Sequence, residues 1–226
     1  MMGSLMAKIR EKGLVAKKVG MTRMVDTNGD VIPVTLVQIP DQKITKVLTV
    51  ERDGYQGYQV GYYAKAEKNL NKADIGRLRK VQLTENFARF SEFRSPGDAK
   101  YELGQSLTAE ILKDVVGVDV TGITKGRGFQ GSVKRWNSAI GPMAHGSMYH
   151  RRTGSLGSNT TPGRVFKNKH MPGHMGVAQR TVRNLEIVDL DVENNIVAIK
   201  GSVPGHRDSY LEIRVVEPRN KKKSAS

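Results

Sequence analysis

Leu185-Glu186-Ile187-Val188-Asp189-Leu190-Asp191-Val192-Glu193-Asn194-Asn195-Ile196-Val197-Ala198-Ile199-Lys200 sets the architecture of this chain. Apolar side chains alternate with acids from 185 to 192, the period of a strand with one buried face. Glu193-Asn194-Asn195 supplies turn chemistry, and 196–200 returns as a second strand. Beyond this hairpin, 210–216 reads as another strand, and so does 116–120 on its N-terminal side. Further upstream, Val31-Ile32-Pro33-Val34-Thr35-Leu36-Val37-Gln38-Ile39 is β-branched and follows Asn28-Gly29, which predicts a hairpin with 15–25 as its first strand. Asp53-Gly54 precedes Tyr55-Gln56-Gly57-Tyr58-Gln59-Val60-Gly61-Tyr62, again alternating. Residues 64–89 are charged and poorly periodic, and read as loop with some helix. Short strands at this spacing predict a mainly β chain folded as a small barrel rather than a β-α-β sheet.

Between those strands lies a segment of a different kind. Residues 120–185 contain no aspartate or glutamate, yet carry eleven Lys/Arg, four of the five histidines, the one tryptophan and eleven glycines. The other 160 residues hold 26 Lys/Arg against 22 acids, so most of the net charge of +15 is concentrated in this window. A solvated basic face interleaves acids to limit self-repulsion, whereas a surface that neutralises phosphates gains by excluding them. Within 122–176, glycine or proline recurs every few residues and alternation is lost, which predicts extended or looped backbone. A structureless stretch of this length in a compact domain is either functional or disordered. Its varied composition, with Phe129, Trp136, Tyr149 and Phe166, predicts disorder alone and order on a partner.

Composition excludes several classes. The chain has 226 residues, of which 38% are hydrophobic, and a mean hydropathy of −0.46. No apolar run approaches the ~18 residues that a spanning helix needs, and Met1-Met2-Gly3-Ser4-Leu5-Met6-Ala7-Lys8 lacks the apolar centre of a signal peptide. With no cysteine there is no disulfide, no thiolate metal site and no cysteine nucleophile. Gly126-Arg127-Gly128-Phe129-Gln130-Gly131 matches a dinucleotide fingerprint, but the acid that would hold the ribose is missing until Glu186. Val197-Ala198-Ile199-Lys200 mimics a kinase strand lysine with only 26 residues to follow, too few for the catalytic loops. His170 and His174 have helical zinc spacing, yet Pro172 and Gly173 oppose a helix and no acid or thiolate lies nearby. A Ser/His/Asp triad lacks its acid. We therefore expect neither enzyme nor metal site nor cofactor.

Gly13-Leu14-Val15-Ala16-Lys17-Lys18-Val19-Gly20-Met21-Thr22-Arg23, Ile32-Pro33-Val34-Thr35, and Val118-Asp119-Val120-Thr121-Gly122-Ile123-Thr124-Lys125-Gly126-Arg127-Gly128-Phe129-Gln130-Gly131 with Lys134-Arg135-Trp136-Asn137 carry a resemblance. So do His145-Gly146-Ser147, Gly154-Ser155-Leu156-Gly157, Thr161-Pro162-Gly163-Arg164-Val165, His174-Met175-Gly176 and Val203-Pro204-Gly205. In this order they resemble the universal large-subunit ribosomal protein three family in its short, bacterial form. The resemblance implies a six-stranded β-barrel of the kind shared with translation factors (13–121 with 177–216), and an extension (122–176) that runs through RNA towards the peptidyl transferase centre. The lysine-rich end of the chain, 217–226, is by its composition expected to be a flexible basic tail. The resemblance further implies a structural, non-catalytic component of the large subunit that binds near the 3′ part of its RNA early in assembly, beside ribosomal proteins fourteen and nineteen. The location implied is the ribosome, cytoplasmic or organellar.

The expected RNA contacts follow from both arguments. Lys125, Arg127, Lys134, Arg135, Arg151, Arg152, Arg164, Lys167 and Lys169 would neutralise phosphates, and Gly128 would admit close backbone approach. Trp136 fits either stacking on a base or packing on the barrel; His145, His150 and His174 fit neutral donors or stacking rings. Asn159 and Thr160, small and uncharged, fall at the tip that the family motif places at 157–162. Some family members carry a methylated glutamine before the Thr-Pro-Gly; Thr160 stands there in this chain, so that modification is not expected. Lys17, Lys18 and Arg23 fit an RNA-facing strand or an ordinary solvated one. A free-standing RNA-binding or RNA-chaperone barrel is the alternative function, and it would display aromatics on its strands.

Overall fold

The Asn28-Gly29 turn closes the first hairpin: Gly29 takes φ 86°, and β1 (Gly13–Val25) pairs antiparallel with β2 (Val31–Gln38). This is a computed structural model, and it describes residues 12–216 apart from 27, 82, 84, 96–100, 114 and 116. The basic tail anticipated at 217–226 lies outside the described residues. There follow β3 (Gln42–Leu48), α1 (Val50–Asp53), β4 (Gly57–Ala64), α2 (Lys72–Lys80), β5 (Phe87–Arg94) and β6 (Gly117–Ile123). The remaining elements are β7 (Gly128–Gln130), α3 (Ser132–Trp136), β8 (Gly173–Met175), β9 (Gln179–Asp191), β10 (Ile196–Lys200) and β11 (Tyr210–Val216). The chain divides into two compact units, Met1–Gly122 with Gln179–Ser226, and Ile123–Ala178.

In the first unit six strands follow one another in a closed ring, β1-β11-β6-β9-β10-β2. The hairpin read from 185–200 is β9–β10, with Val197 opposite Leu190 and Ala198 opposite Asp189. Period-two alternation sends one set of side chains inward, and Leu14, Val37, Val120, Ile199, Leu211 and Ile213 form the buried core. Each such aliphatic side chain stabilises the fold by about 1.5–3 kcal/mol relative to exposure. Lys18 follows Leu14 and Ala16 in the same alternation and is buried, its Nζ donating to the carbonyls of Val203 (3.0 Å) and Gly205 (3.1 Å). It is therefore not the solvated or RNA-facing cation that its neighbours suggest. Lys17, one residue on, points the other way and pairs with Asp208 at 2.8 Å. Arg23 is exposed.

A second, three-stranded sheet, β3-β4-β5, supplies another core of Val15, Ile44, Tyr58, Val60, Tyr62 and Phe93. Residues 64–89 hold the nine-residue helix α2, in keeping with the expected loop with some helix, but they also contain the start of β5, and β3 was not anticipated. β3 escapes the alternation because it places polar groups inside: Gln42 and Thr45 are buried, Thr45 Oγ1 donating to the Gln59 carbonyl (3.3 Å). Apolar periodicity is blurred wherever a buried polar side chain is satisfied by a distant partner.

The two sheets are joined through side chains rather than strands. On the face of β1 turned to the second sheet, the Gly13 N–H donates to Tyr58 Oη and Tyr58 donates back to the Gly13 carbonyl, both at 2.6 Å. Gln42 repeats this at Val15, its Oε1 accepting from the N–H (3.0 Å) and its Nε2 donating to the carbonyl (3.1 Å). Burial pushes the Tyr58 phenol pKa well up, so it stays a donor. Glycine at 13 is required by contact: a Cβ there would lie 2.1 Å from Phe93.

Candidate nucleic-acid interface

The acid-free sequence builds the second unit, and local geometry explains how it holds together without a core. Thr124 and Ala178 form its base: the Thr124 N–H donates to the Ala178 carbonyl (3.0 Å), and the Ala178 N–H donates to Thr124 Oγ1 (3.2 Å). The Arg127 N–H donates to the Met175 carbonyl (2.9 Å), and β7 and β8 continue the ladder with Phe129 opposite His174. The chain legs approach so closely that Gly176, at φ 85°, could carry no side chain, since a Cβ would sit 2.1 Å from the Lys125 carbonyl. The glycine-rich run thus forms an antiparallel strand of this ladder, which is incompatible with a dinucleotide-binding turn. It also commits the Arg127 amide to the hairpin, so that residue has only its side chain left for a phosphate.

Above the ladder, α3 turns the chain and ends at Asn137 in the left-handed conformation (φ 54°). Two donors converge there on one acceptor, Arg135 Nη1 and Trp136 Nε1 each lying 2.9 Å from the Met171 carbonyl. The Trp136 ring stacks on His170, with centroids 4.3 Å apart and planes 3° from parallel, and the Arg135 guanidinium lies 4.9 Å from the indole centroid. Neither role foreseen for Trp136 describes this arrangement. The indole joins the two legs of its own unit and remains 41% exposed, so part of the ring is still available. The pairing of His170 with Trp136 spans 34 positions, and no local period announces it.

Of the sixteen residues expected to contact RNA, fourteen are exposed: Lys125, Arg127, Gly128, Lys134, Trp136, His145, Arg151, Arg152, Asn159, Thr160, Arg164, Lys167, Lys169 and His174. Arg135 is half-buried by its bond to Met171. His150 is half-buried too, its Nδ1 lying 3.0 Å from the Pro142 carbonyl and its own carbonyl accepting from Gly141 (2.9 Å). Phe129 (76% exposed) and Met148 (87%) add apolar surface that composition left unassigned; in the other unit, Arg180 and Arg183 of β9 are also exposed cations. Among the described residues of Ile123–Ala178, Ser132 alone is buried. With no carboxylate between 120 and 185, none of the cations of Ile123–Ala178 can be neutralised within that unit.

Such an arrangement attracts phosphate oxygens and offers aromatic and apolar faces beside them. Among the described residues no group of three His, Cys, Asp or Glu is placed to hold a metal ion, and no described helix is long and apolar enough to cross a membrane.

The sequence is similar to those of known proteins. The family model described as Ribosomal protein L3 matches residues 100–192, a span that encloses the whole acid-free unit. The large ribosomal subunit protein uL3 of Alkaliphilus metalliredigens is 45% identical over 210 residues, covering 93% of this chain and 100% of that protein. The uL3 proteins of Listeria welshimeri and Listeria innocua are each 44% identical over 204 residues, 90% of this chain and 96% of theirs.

Proposed function

The chain belongs to the ribosomal protein L3 family, and from that premise we propose that it is a non-enzymatic structural constituent of the large ribosomal subunit whose Ile123–Ala178 unit is its principal RNA-contacting segment. The observation that carries this reading is the unit itself, which is acid-free, has Ser132 as its one buried residue among those described and is enclosed by the family match. A freely soluble protein gains nothing from an uncompensated cationic surface of this size, whereas each phosphate contact releases counterions. The closed ring of six strands is then the barrel shared with translation factors. It anchors the protein near the 3′ part of the large-subunit RNA, beside ribosomal proteins fourteen and nineteen, and acts early in assembly in the cytoplasm.

The segment after β6 would thread between RNA helices towards the peptidyl transferase centre. An extended chain advances up to ~3.3–3.6 Å per residue, so an out-and-back loop of this length can span tens of ångströms. At its tip Asn159 and Thr160 would pack against bases, while Arg151, Arg152, Arg164, Lys167 and Lys169 neutralise phosphates along the way. Sedimentation tests the reading. The endogenous protein should remain with large subunits through a high-salt gradient, because many phosphate contacts and threaded chain must be lost together. Release at high salt into the free fraction, with rebinding to unrelated RNAs, would favour a free-standing RNA-binding module instead.

A further inference from the structure

At the end of β4 the backbone does something costly for a bulky side chain: Tyr63 adopts φ 64°, the left-handed region that aromatic residues rarely occupy. Strand alternation buries Tyr62 and the twisted backbone leaves the next ring outside, 43% exposed. That ring is not left loose. Arg89, which faces Tyr62 across the β4–β5 pair, holds its guanidinium 5.6 Å from the Tyr63 centroid and 5.1 Å from that of Tyr210. Tyr210 meets Tyr63 edge-on, with centroids 5.9 Å apart and planes at 76°. Lys17 lies directly across the β1–β11 pair from Tyr210. Arg89 is exposed, and among the described residues it forms no ion pair.

This combination has a specific chemistry. A fixed, partly exposed ring offers a stacking face to any base, and a planar guanidinium beside it presents a fork of N–H donors to a phosphate. Strain persists where the surroundings over-determine it, and here it serves to turn one ring outward beside an uncompensated cation. The patch belongs to the unit that contains the ring of strands, and thus owes nothing to the acid-free segment.

Building on the function proposed above, we propose that Tyr63, Arg89 and Tyr210, with Lys17 beside them, form a nucleotide-binding patch that takes one unpaired base of the large-subunit RNA on Tyr63 and its phosphate on Arg89. An aromatic ring beside a guanidinium that has no ion-pair partner among the described residues favours nucleic acid over a protein partner, whose apolar anchors would leave Arg89 buried without a counter-charge.

The test uses full-length protein and an in vitro transcript of the large-subunit RNA, with affinity and melting temperature read for each variant. Tyr63→Gly removes the ring and relieves the backbone, since glycine takes φ 64° freely, so its melting temperature should not fall. Its affinity, and that of Arg89→Gln, should drop about tenfold, the loss expected of one stacked base or one phosphate pair. Tyr63→Phe should bind within about twofold of wild type, since stacking needs no hydroxyl. Arg151→Glu with Arg152→Glu serves as reference. Wild-type affinity in both Tyr63→Gly and Arg89→Gln, with loss in the reference, overturns the patch and leaves the proposed function standing. Normal RNA affinity combined with lost binding of a neighbouring subunit protein also overturns it, in favour of a protein interface. Equal affinity of the wild-type protein for an unrelated structured transcript overturns both proposals.

Discussion

Tyr58 and Gln42 act as a strand made of side chains. Each satisfies both the N–H and the C=O of one β1 residue, which is the task a neighbouring strand normally performs. Tyr58→Phe would keep the ring against Phe93, 5.6 Å between centroids, while stripping both partners from Gly13. A buried backbone group left without a partner costs about 1–3 kcal/mol. We expect Tyr58→Phe to be destabilised by about 2 kcal/mol, or roughly 5 °C in melting temperature, measured by thermal denaturation of the isolated protein. An unchanged melting temperature would mean that the two bonds are replaced at no cost. The same logic applies to Lys18, whose ammonium on Val203 and Gly205 makes it a structural residue in a family motif that reads at first like RNA-binding sequence.

Among the elements, the hairpin β7–β8 and helix α3 bring order to the beginning and end of the acid-free unit, while its middle relies on local bonds. From 151 to 170 every residue except Thr153 is exposed, and the bonds found there are short-range, such as Ser155 Oγ donating to the Gly157 carbonyl at 3.0 Å. Arg151 and Arg152 therefore contribute nothing to a core. Replacing both with Glu should leave the melting temperature within about 1 °C, because exposed substitutions typically change stability by under ~0.5 kcal/mol. The same variant should assemble poorly into large subunits and lower the salt slope of RNA binding by about two, one for each lost phosphate contact. Normal assembly of the double variant would remove these arginines from the interface.

For the molecule as a whole, the two units differ in what holds them. The ring buries Leu14, Val37, Val120, Ile199 and Ile213 completely, and its amides are cross-bonded from strand to strand. Ordering a residue costs about 1–2 kcal/mol in backbone entropy, which residues 151–170 have no apolar burial to offset. Amide exchange in the free protein should thus be slow in β1, β6, β10 and β11, intermediate in β7 and β8, and fast across 151–170. In assembled subunits the last group should slow markedly. Strong protection of 151–170 in the free protein would refute a segment that is ordered by its partner.

The sequence by itself determined the features that depend on local period and composition. Alternation at 185–200, the Asn28-Gly29 turn and the β-branched run at 31–38 identified ring strands, since one buried face writes itself directly into neighbouring residues. The absence of acids from 120 to 185 identified the cationic segment, because charge balance is a property of the chain and not of its folding. Tertiary structure alone decided what distant partners control. β3 was hidden because Gln42 and Thr45 are polar and become strand interior only through bonds to Val15 and Gln59. Trp136 found His170, and Lys18 found carbonyls 185 and 187 residues away. A polar or aromatic side chain is ambiguous until its partner is in place, whereas an alternating apolar strand needs only a core to face.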